Sequence, residues 1–343
     1  MYLPEPIGCR LLGLGHDMRR REFIKLIGGA ATLWPAIAMA QQPALPIVAF
    51  VAGGTADSAA NYSAGFRKGL SESGYVDGKN VTLEYHWLEG RSSSLPGLMA
   101  DLVRRRVTVI FTANNVGTLA AKAATSDIPI VFVVGLDPVL MGLVSSINRP
   151  GGNATGVSFQ VSALEPKRFE LVRNLLPQVS LVGVLVNPDN PNAKDHARDL
   201  QAAVPASGLQ LLVLEARSGA DIDTAFATLV QQHGGALLVT SDVLFDIQRH
   251  QLVDLAARNS IPAMYPWRGF ADAGGLMSYG NSLSGAIQHG GLYVGRILKG
   301  DKPADLPVWQ PTKFEFVINL KAAKALGIAM PATLLTFADE VIE

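Results

Sequence analysis

The chain has 343 residues, too many for one ordinary core and enough for two domains. Apolar residues make up 48% and charged residues only 17%, which excludes a disordered or coiled-coil chain. Lys+Arg and Asp+Glu both number 29, so no basic field is available for nucleic acid or an anionic lipid surface.

Residues 18–40 read as an export signal, preceded by an N-terminal extension of 17 residues without signal character. Met18-Arg19-Arg20-Arg21-Glu22-Phe23-Ile24-Lys25 is a basic region. An apolar stretch of about fifteen residues runs from Leu26 to Ala40 and ends in Ala38-Met39-Ala40, an A-x-A cleavage pattern. With Gly28, Gly29 and Pro35 inside it, the stretch falls short of the roughly 20 residues that span a bilayer. The paired arginines resemble a twin-arginine signal, so cleavage is expected after about Ala40 and the mature protein is expected in the periplasm. Without residues 1–40 the basic count is 24 and the acidic count 26. Cys9 is the only cysteine and lies upstream of the signal, so the mature protein is expected to hold no disulfide, thiolate zinc site or thiol nucleophile.

Strands and helices then alternate. Ile47 to Val51 is an apolar run closed by Gly53-Gly54, the pattern of a buried parallel strand. Ser58 is placed to cap a helix with Tyr62, Phe66 and Leu70 on one face, stopped by Gly74. Val81, Leu83, Tyr85 and Trp87 alternate as a half-buried strand, and Leu95 to Val103 has helical spacing. A strand at Val107–Phe111, a helix at Gly117–Thr125 and a strand at Ile128–Val134 complete the first half. In the second half a helix starts near Pro166. Strands follow at Leu181–Val186, Leu209–Leu214, Ala236–Val239 and Ile261–Tyr265, separated by helices at about Lys194–Val204, Ile222–Gln232 and Phe245–Arg258.

One unit recurs. Val109-Ile110-Phe111-Thr112, a helix and Ile128-Pro129 correspond to Leu237-Leu238-Val239-Thr240, a helix and Ile261-Pro262. Alternation of this kind predicts parallel sheets with right-handed crossovers, and two such runs predict an α/β protein of two doubly wound lobes joined by a hinge. Crossings are expected near Val157–Val161, Met277–Gly280 and Pro307–Thr312. Lobe 1 is then residues 44–157 plus 280–310, lobe 2 is 160–277, and 311–343 is a tail assigned to neither lobe.

Several segments resemble the substrate-binding proteins of ABC transporters, of tryptophan/tyrosine type. They include Phe66-Arg67-Lys68-Gly69-Leu70, Arg149-Pro150-Gly151-Gly152-Asn153-Ala154-Thr155-Gly156-Val157, Asn187-Pro188-Asp189-Asn190-Pro191, Ala273 to Gly280 and Tyr293 to Gly300. Pro311 to Glu315 followed by Asn319-Leu320-Lys321 belongs to the same set, and the resemblance spans residues 18–343. It implies a type I periplasmic-binding fold, a small-molecule ligand held between the lobes, and an ABC permease in the inner membrane with its ATPase as partners. It leaves the ligand open.

In doubly wound sheets ligands bind beyond the carboxyl ends of the strands. That rule selects Gly54, Thr55 and Ser58 at one helix start, where free N–H groups favour an anion. It also selects Asn114 and Asn115 for amide hydrogen bonds, Asp137 for an ammonium group, and Asn187, Asp242, Tyr265 and Tyr279 from the second lobe and its return crossing. Each has a plainer reading as a turn, a cap or a core residue. Asp137 before Pro138 is a good helix cap, and Tyr265 and Trp267 need no ligand to be buried. No phosphate loop, nucleophile elbow or paired-histidine metal motif occurs, so no cofactor, metal or enzymatic activity is expected. The expectation is a monomeric solute-binding protein that captures a small polar or aromatic solute, such as an amino acid, by hinge closure. A ligand-sensing module signalling to a receptor and an exported α/β hydrolase are the alternatives.

Overall fold

The computed structural model describes residues 44–159, 161–204 and 209–343. The export signal and its cleavage site lie outside the described residues.

The elements form around two sheets. The first holds β1 (Ile47–Ala52), β2 (Thr82–Trp87), β3 (Val109–Thr112), β4 (Ile130–Val134) and β5 (Ala154–Ser158), all parallel, in the order β2-β1-β3-β4-β5. The helices α1 (Ala60–Glu72), α2 (Leu95–Arg104) and α3 (Asn115–Ala124) connect them. The two-residue side-chain period sorts β1 between two cores. Val48 and Phe50 pack with Phe66, Leu70 and Phe111 on one face, and Ala49 and Val51 with Met99, Leu102 and Ala121 on the other.

The second sheet is built from β6 (Leu181–Val186), β7 (Gln210–Glu215), β8 (Ala236–Val239), β9 (Ala263–Tyr265) and β10 (Met277–Asn281). Its helices are α4 (Glu165–Leu175), α5 (Ala193–Ala203), α6 (Gly219–Gln231), α7 (Val243–Ile247), α8 (Arg249–Arg258) and α9 (Arg268–Asp272). After β10 the chain returns to the first sheet as α10 (Leu283–Leu298). Trp309 then bridges Val157 beside β5. The chain next enters β11 (Phe314–Asn319), which runs antiparallel to β10, and continues through α11 (Leu320–Ala325) and α12 (Ala332–Phe337) to β12 (Glu340–Ile342). The order is β12-β11-β10-β9-β8-β6-β7, so the tail left unassigned from sequence extends the second sheet.

The molecule is thus two α/β lobes with parallel-dominated sheets. Both copies of the recurring unit fold alike: β3 pairs with β4 and β8 with β9, each pair parallel around its helical connection. Two local expectations differ. The helix expected over Phe245–Arg258 is two helices broken at Gln248. Ser58 does not cap α1: Thr55 N donates to Ser58 Oγ (3.0 Å) and Ser58 N to Thr55 Oγ1 (3.1 Å), a closed turn before the helix.

α10 reaches its lobe through glycine. A Cβ at Gly69 of α1 would overlap the carbonyl oxygen of Gln288, and one at Gly291 of α10 that of Phe66. Backbone meets backbone here, and neither can yield alone. In an open helix, Gly→Ala stabilises by about 1 kcal/mol through propensity. Gly97 in α2, with nothing near its missing Cβ, is such a site. Gly69→Ala is therefore expected to destabilise by about 1–3 kcal/mol through overpacking, whereas Gly97→Ala raises stability. Urea denaturation of the two variants reads both signs. A stabilised Gly69→Ala would mean that the helices are not in this close contact.

Candidate functional site

The loops after β1, β3, β6 and β8 face one another and line a cavity of about 130 Å³. An engineered apolar cavity of about 150 Å³ is known to take benzene, so this void is on the scale of an aromatic ring. Its apolar wall includes Val133, Phe159, Val243, Trp267 and Ile287. The Phe159 and Trp267 rings lie 5.9 Å apart, one after β5 and one after β9.

Five of the ten residues selected from sequence line this cavity: Gly54, Ser58, Asn114, Asn115 and Asp242. Asn114 and Asp242 occupy equivalent places in the two recurring units. Each caps the helix after its strand: Asn114 Oδ1 accepts from Gly117 N (2.6 Å) and Asp242 Oδ1 from Leu244 N (2.7 Å). Asp242 also accepts from Asn187 Nδ2 (3.1 Å) and from Asn190 Nδ2 (2.6 Å). Burial raises its pKa above the ordinary carboxylate value, and these three donors pull it back. Asp242 is therefore a wall residue with its hydrogen-bonding capacity largely used.

The other five are placed elsewhere. Thr55 closes the turn with Ser58, beside the cavity. Asn187 supports Asp242 from behind. Asp137 accepts from Val139 N (2.8 Å) and Leu140 N (3.2 Å), the capping use that its position before Pro138 allows, and does not line the cavity. Tyr265 is fully buried, its ring stacked on Phe270 at 4.8 Å, because the pleat of β9 turns it into the core. Tyr279 packs on Phe314 at 5.9 Å across the β10–β11 pair.

The structure adds residues that the strand-end rule did not reach. Tyr62 and Asp246 line the cavity, and Tyr62 Oη donates to Asp246 Oδ2 at 3.1 Å from one lobe to the other. Asn115 Nδ2 donates to Asn192 Oδ1 at 3.0 Å, a second bond between lobes, while Asn115 Oδ1 accepts from Gly135 N. The lobes also touch where a Cβ on Gly53 would lie 3.0 Å from Val243.

Asp246 is the unusual group. Among the described residues its Oδ1 has only the Arg249 guanidinium, 4.0 Å away. Burial pushes its pKa up to about 6, with Arg249 and Tyr62 opposing. Burial, and then the Asp246 carboxylate, hold the Tyr62 phenol well above its usual range. On the facing lobe, the N-terminal turns of α1 and α3 reach the cavity at Ser58, Ala59, Asn114 and Asn115. Helix N-termini favour a carboxylate, and a buried carboxylate favours an ammonium group. The site therefore offers both poles of a zwitterion and a slot for a ring.

A ligand-sized cavity shared by two doubly wound lobes, walled by polar loops and crossed by interlobe hydrogen bonds, defines a solute-binding protein of the periplasmic-binding fold. The chain belongs to the family of ABC transporter substrate binding proteins, whose model matches residues 45–342. It is 28% identical over 264 residues to the tyrosine-binding protein of Clostridioides difficile, covering 77% of this chain and 76% of that protein. A Streptococcus pneumoniae protein solved in complex with L-Trp superposes with a TM-score of 0.78 at 26% identity, covering 87% of this chain and 100% of that one. A conserved domain protein from Vibrio cholerae gives the same TM-score, 0.78, and 26% identity, covering 86% and 99%. The family binds small-molecule solutes and is not enzymatic, so this chain is a binding protein and not an enzyme.

Proposed function

We infer that the protein captures an aromatic α-amino acid outside the cytoplasm and presents it to an ABC permease and its ATPase for import. The observation that carries this reading is Asp246, a partly buried and under-paired carboxylate at the edge of an aromatic-walled cavity. The ligand's ammonium group sits against Asp246 and its carboxylate against the N-termini of α1 and α3. Its ring lies between Phe159, Trp267 and Ile287. The names of the Clostridioides and Streptococcus relatives, one tyrosine-binding and one solved with L-Trp, support the same ligand class.

Uptake requires the lobes to part. Tyr62–Asp246 and Asn115–Asn192 are the bonds that form on closure, and hinge motion at the crossings between the sheets opens them. The exported form follows cleavage of the twin-arginine-like signal after about Ala40 and acts as a monomer in the periplasm.

Isothermal titration and thermal melting with L-tyrosine, L-tryptophan, L-phenylalanine, glycine and L-glutamate test the reading. An aromatic amino acid at 100 times its Kd is expected to stabilise the folded state by about 2.7 kcal/mol. Glycine and L-glutamate are expected to give no shift. Binding of glutamate in preference to all three aromatic acids would overturn the assignment, as would no response to any of the three.

A further inference from the structure

The ligand cavity has a neighbour. A second, polar compartment of about 480 Å³ adjoins it, and the two share Ser58, Tyr62, Asp246, Trp267 and Leu283 as walls. The hydrogen-bonded pair Tyr62–Asp246 thus belongs to both spaces. Beyond it the lining changes character. Asp57, Arg249, His250 and Glu315 bring both signs of charge, and Asn281 at the end of β10 is buried with neither amide atom partnered among the described residues. Such a lining suits backbone and a charged terminus rather than an apolar body.

An aromatic amino acid bound in the proposed orientation has its amino group at Asp246, on the boundary between the two spaces. Resting on that ligand assignment, we propose that Tyr62 is the specificity-determining residue that closes the cleft at the amino end of the ligand, so that the protein takes a free aromatic amino acid. The compartment beyond is a latent subsite for one further residue joined to that amine by a peptide bond. Acylation of the amine removes its charge and directs the chain at the Tyr62 ring. With the ring gone, the same amide N–H still faces the Asp246 carboxylate and the added residue has space. An extension at the carboxyl end runs instead toward Asn114 and Asn115 at the N-terminus of α3, which line the first cavity and not the second compartment.

Titration of L-tyrosine, glycyl-L-tyrosine and L-tyrosylglycine into the wild type, Tyr62→Phe and Tyr62→Ala tests this. The wild type is expected to prefer L-tyrosine over glycyl-L-tyrosine by about 100-fold or more. Tyr62→Phe, which keeps the ring as a wall, retains most of that preference. Tyr62→Ala narrows it to below about tenfold while still rejecting L-tyrosylglycine. Should the alanine variant fail to fold, Tyr62→Leu opens the same wall in part and is expected to shift the preference in the same direction. Failure of the wild type to bind any free aromatic amino acid overturns the ligand assignment and this inference together. If L-tyrosine binds, three results overturn the inference alone: an unchanged preference in Tyr62→Ala, a wild type that takes both ligands equally, or an equal gain for L-tyrosylglycine.

Discussion

Asp246→Asn is expected to remove tight amino-acid binding and, at the same time, to make the unliganded protein more stable. The carboxyl is pushed up to about 6 by burial, from an ordinary value of 3.8. That difference corresponds to about 3 kcal/mol against the ionised, unliganded form at neutral pH. The sign follows from linkage. The folded state holds this proton more tightly than the unfolded state does, so the penalty is absent below about pH 4, grows between about 4 and 6, and is complete above. The group's contribution to unliganded stability therefore falls as pH rises through that window. The ligand's ammonium group reverses the preference because it pairs with the ionised form, so affinity falls as pH drops below about 6. Asparagine can still accept from Tyr62 but carries no charge, and it removes both trends. Loss of one partner of a buried charge pair costs about 2–5 kcal/mol, so the Kd is expected to rise at least ~30-fold. Melting and titration from pH 4.5 to 8 read the two effects separately, with Asp137→Asn as a control that leaves affinity unchanged. Affinity of Asp246→Asn within threefold of wild type would remove Asp246 from the site.

The contrast between Asp246 and Asp137 marks where the sequence is legible. Buried parallel strands such as Ile47–Ala52 and Leu181–Val186 are continuous apolar runs, a pattern read without knowing any partner. The loop after each strand is then located, and the strand-end rule reaches Gly54, Ser58, Asn114, Asn115 and Asp242. Tyr62 and Asp246 escape it because each lies one helical turn further on, four residues after Ser58 and Asp242, on the face that those residues already present to the cleft. Their bond joins positions 184 apart in sequence, and no local pattern marks such a pair. Tyr265 errs in the opposite direction. A tyrosine at a strand end reads as a ligand contact, yet alternation along a three-residue strand turns it onto Phe270. The break at Gln248 is invisible in the sequence because the apolar spacing on either side continues with helical period.

Arg168→Met is expected to cost the fold about 3–5 kcal/mol, since it strands a carboxylate in the interior. Glu165 and Arg168 stand in the first turn of α4, both are fully buried, and His196 is 1% exposed. Arg168 Nη1 donates to Glu165 Oε1 at 2.8 Å, and His196 Nδ1 lies 2.7 Å from the same oxygen. Arg168 Nε donates to the Tyr279 carbonyl at 2.8 Å. One guanidinium thus ties α4, the first helix after the chain leaves β5, to β10, the strand that leads it back. His196 stands one turn beyond Asn192, which bonds Asn115 across the cleft. Methionine fills similar volume but leaves Glu165 without its cation and Tyr279 without its donor. The neutral pair Glu165→Gln with Arg168→Met is expected to be less damaging than Arg168→Met alone, because the charge that needed compensation is gone. A double-mutant cycle by urea denaturation measures that coupling directly. A single variant within about 1 kcal/mol of wild type would show that the buried charge finds other compensation, since stranding it should cost several times that. A double variant as costly as the sum of the singles would show that the two side chains act independently. Because the cluster aligns β10 and α5 behind the cavity, its loss is also expected to weaken ligand affinity in whatever protein remains folded.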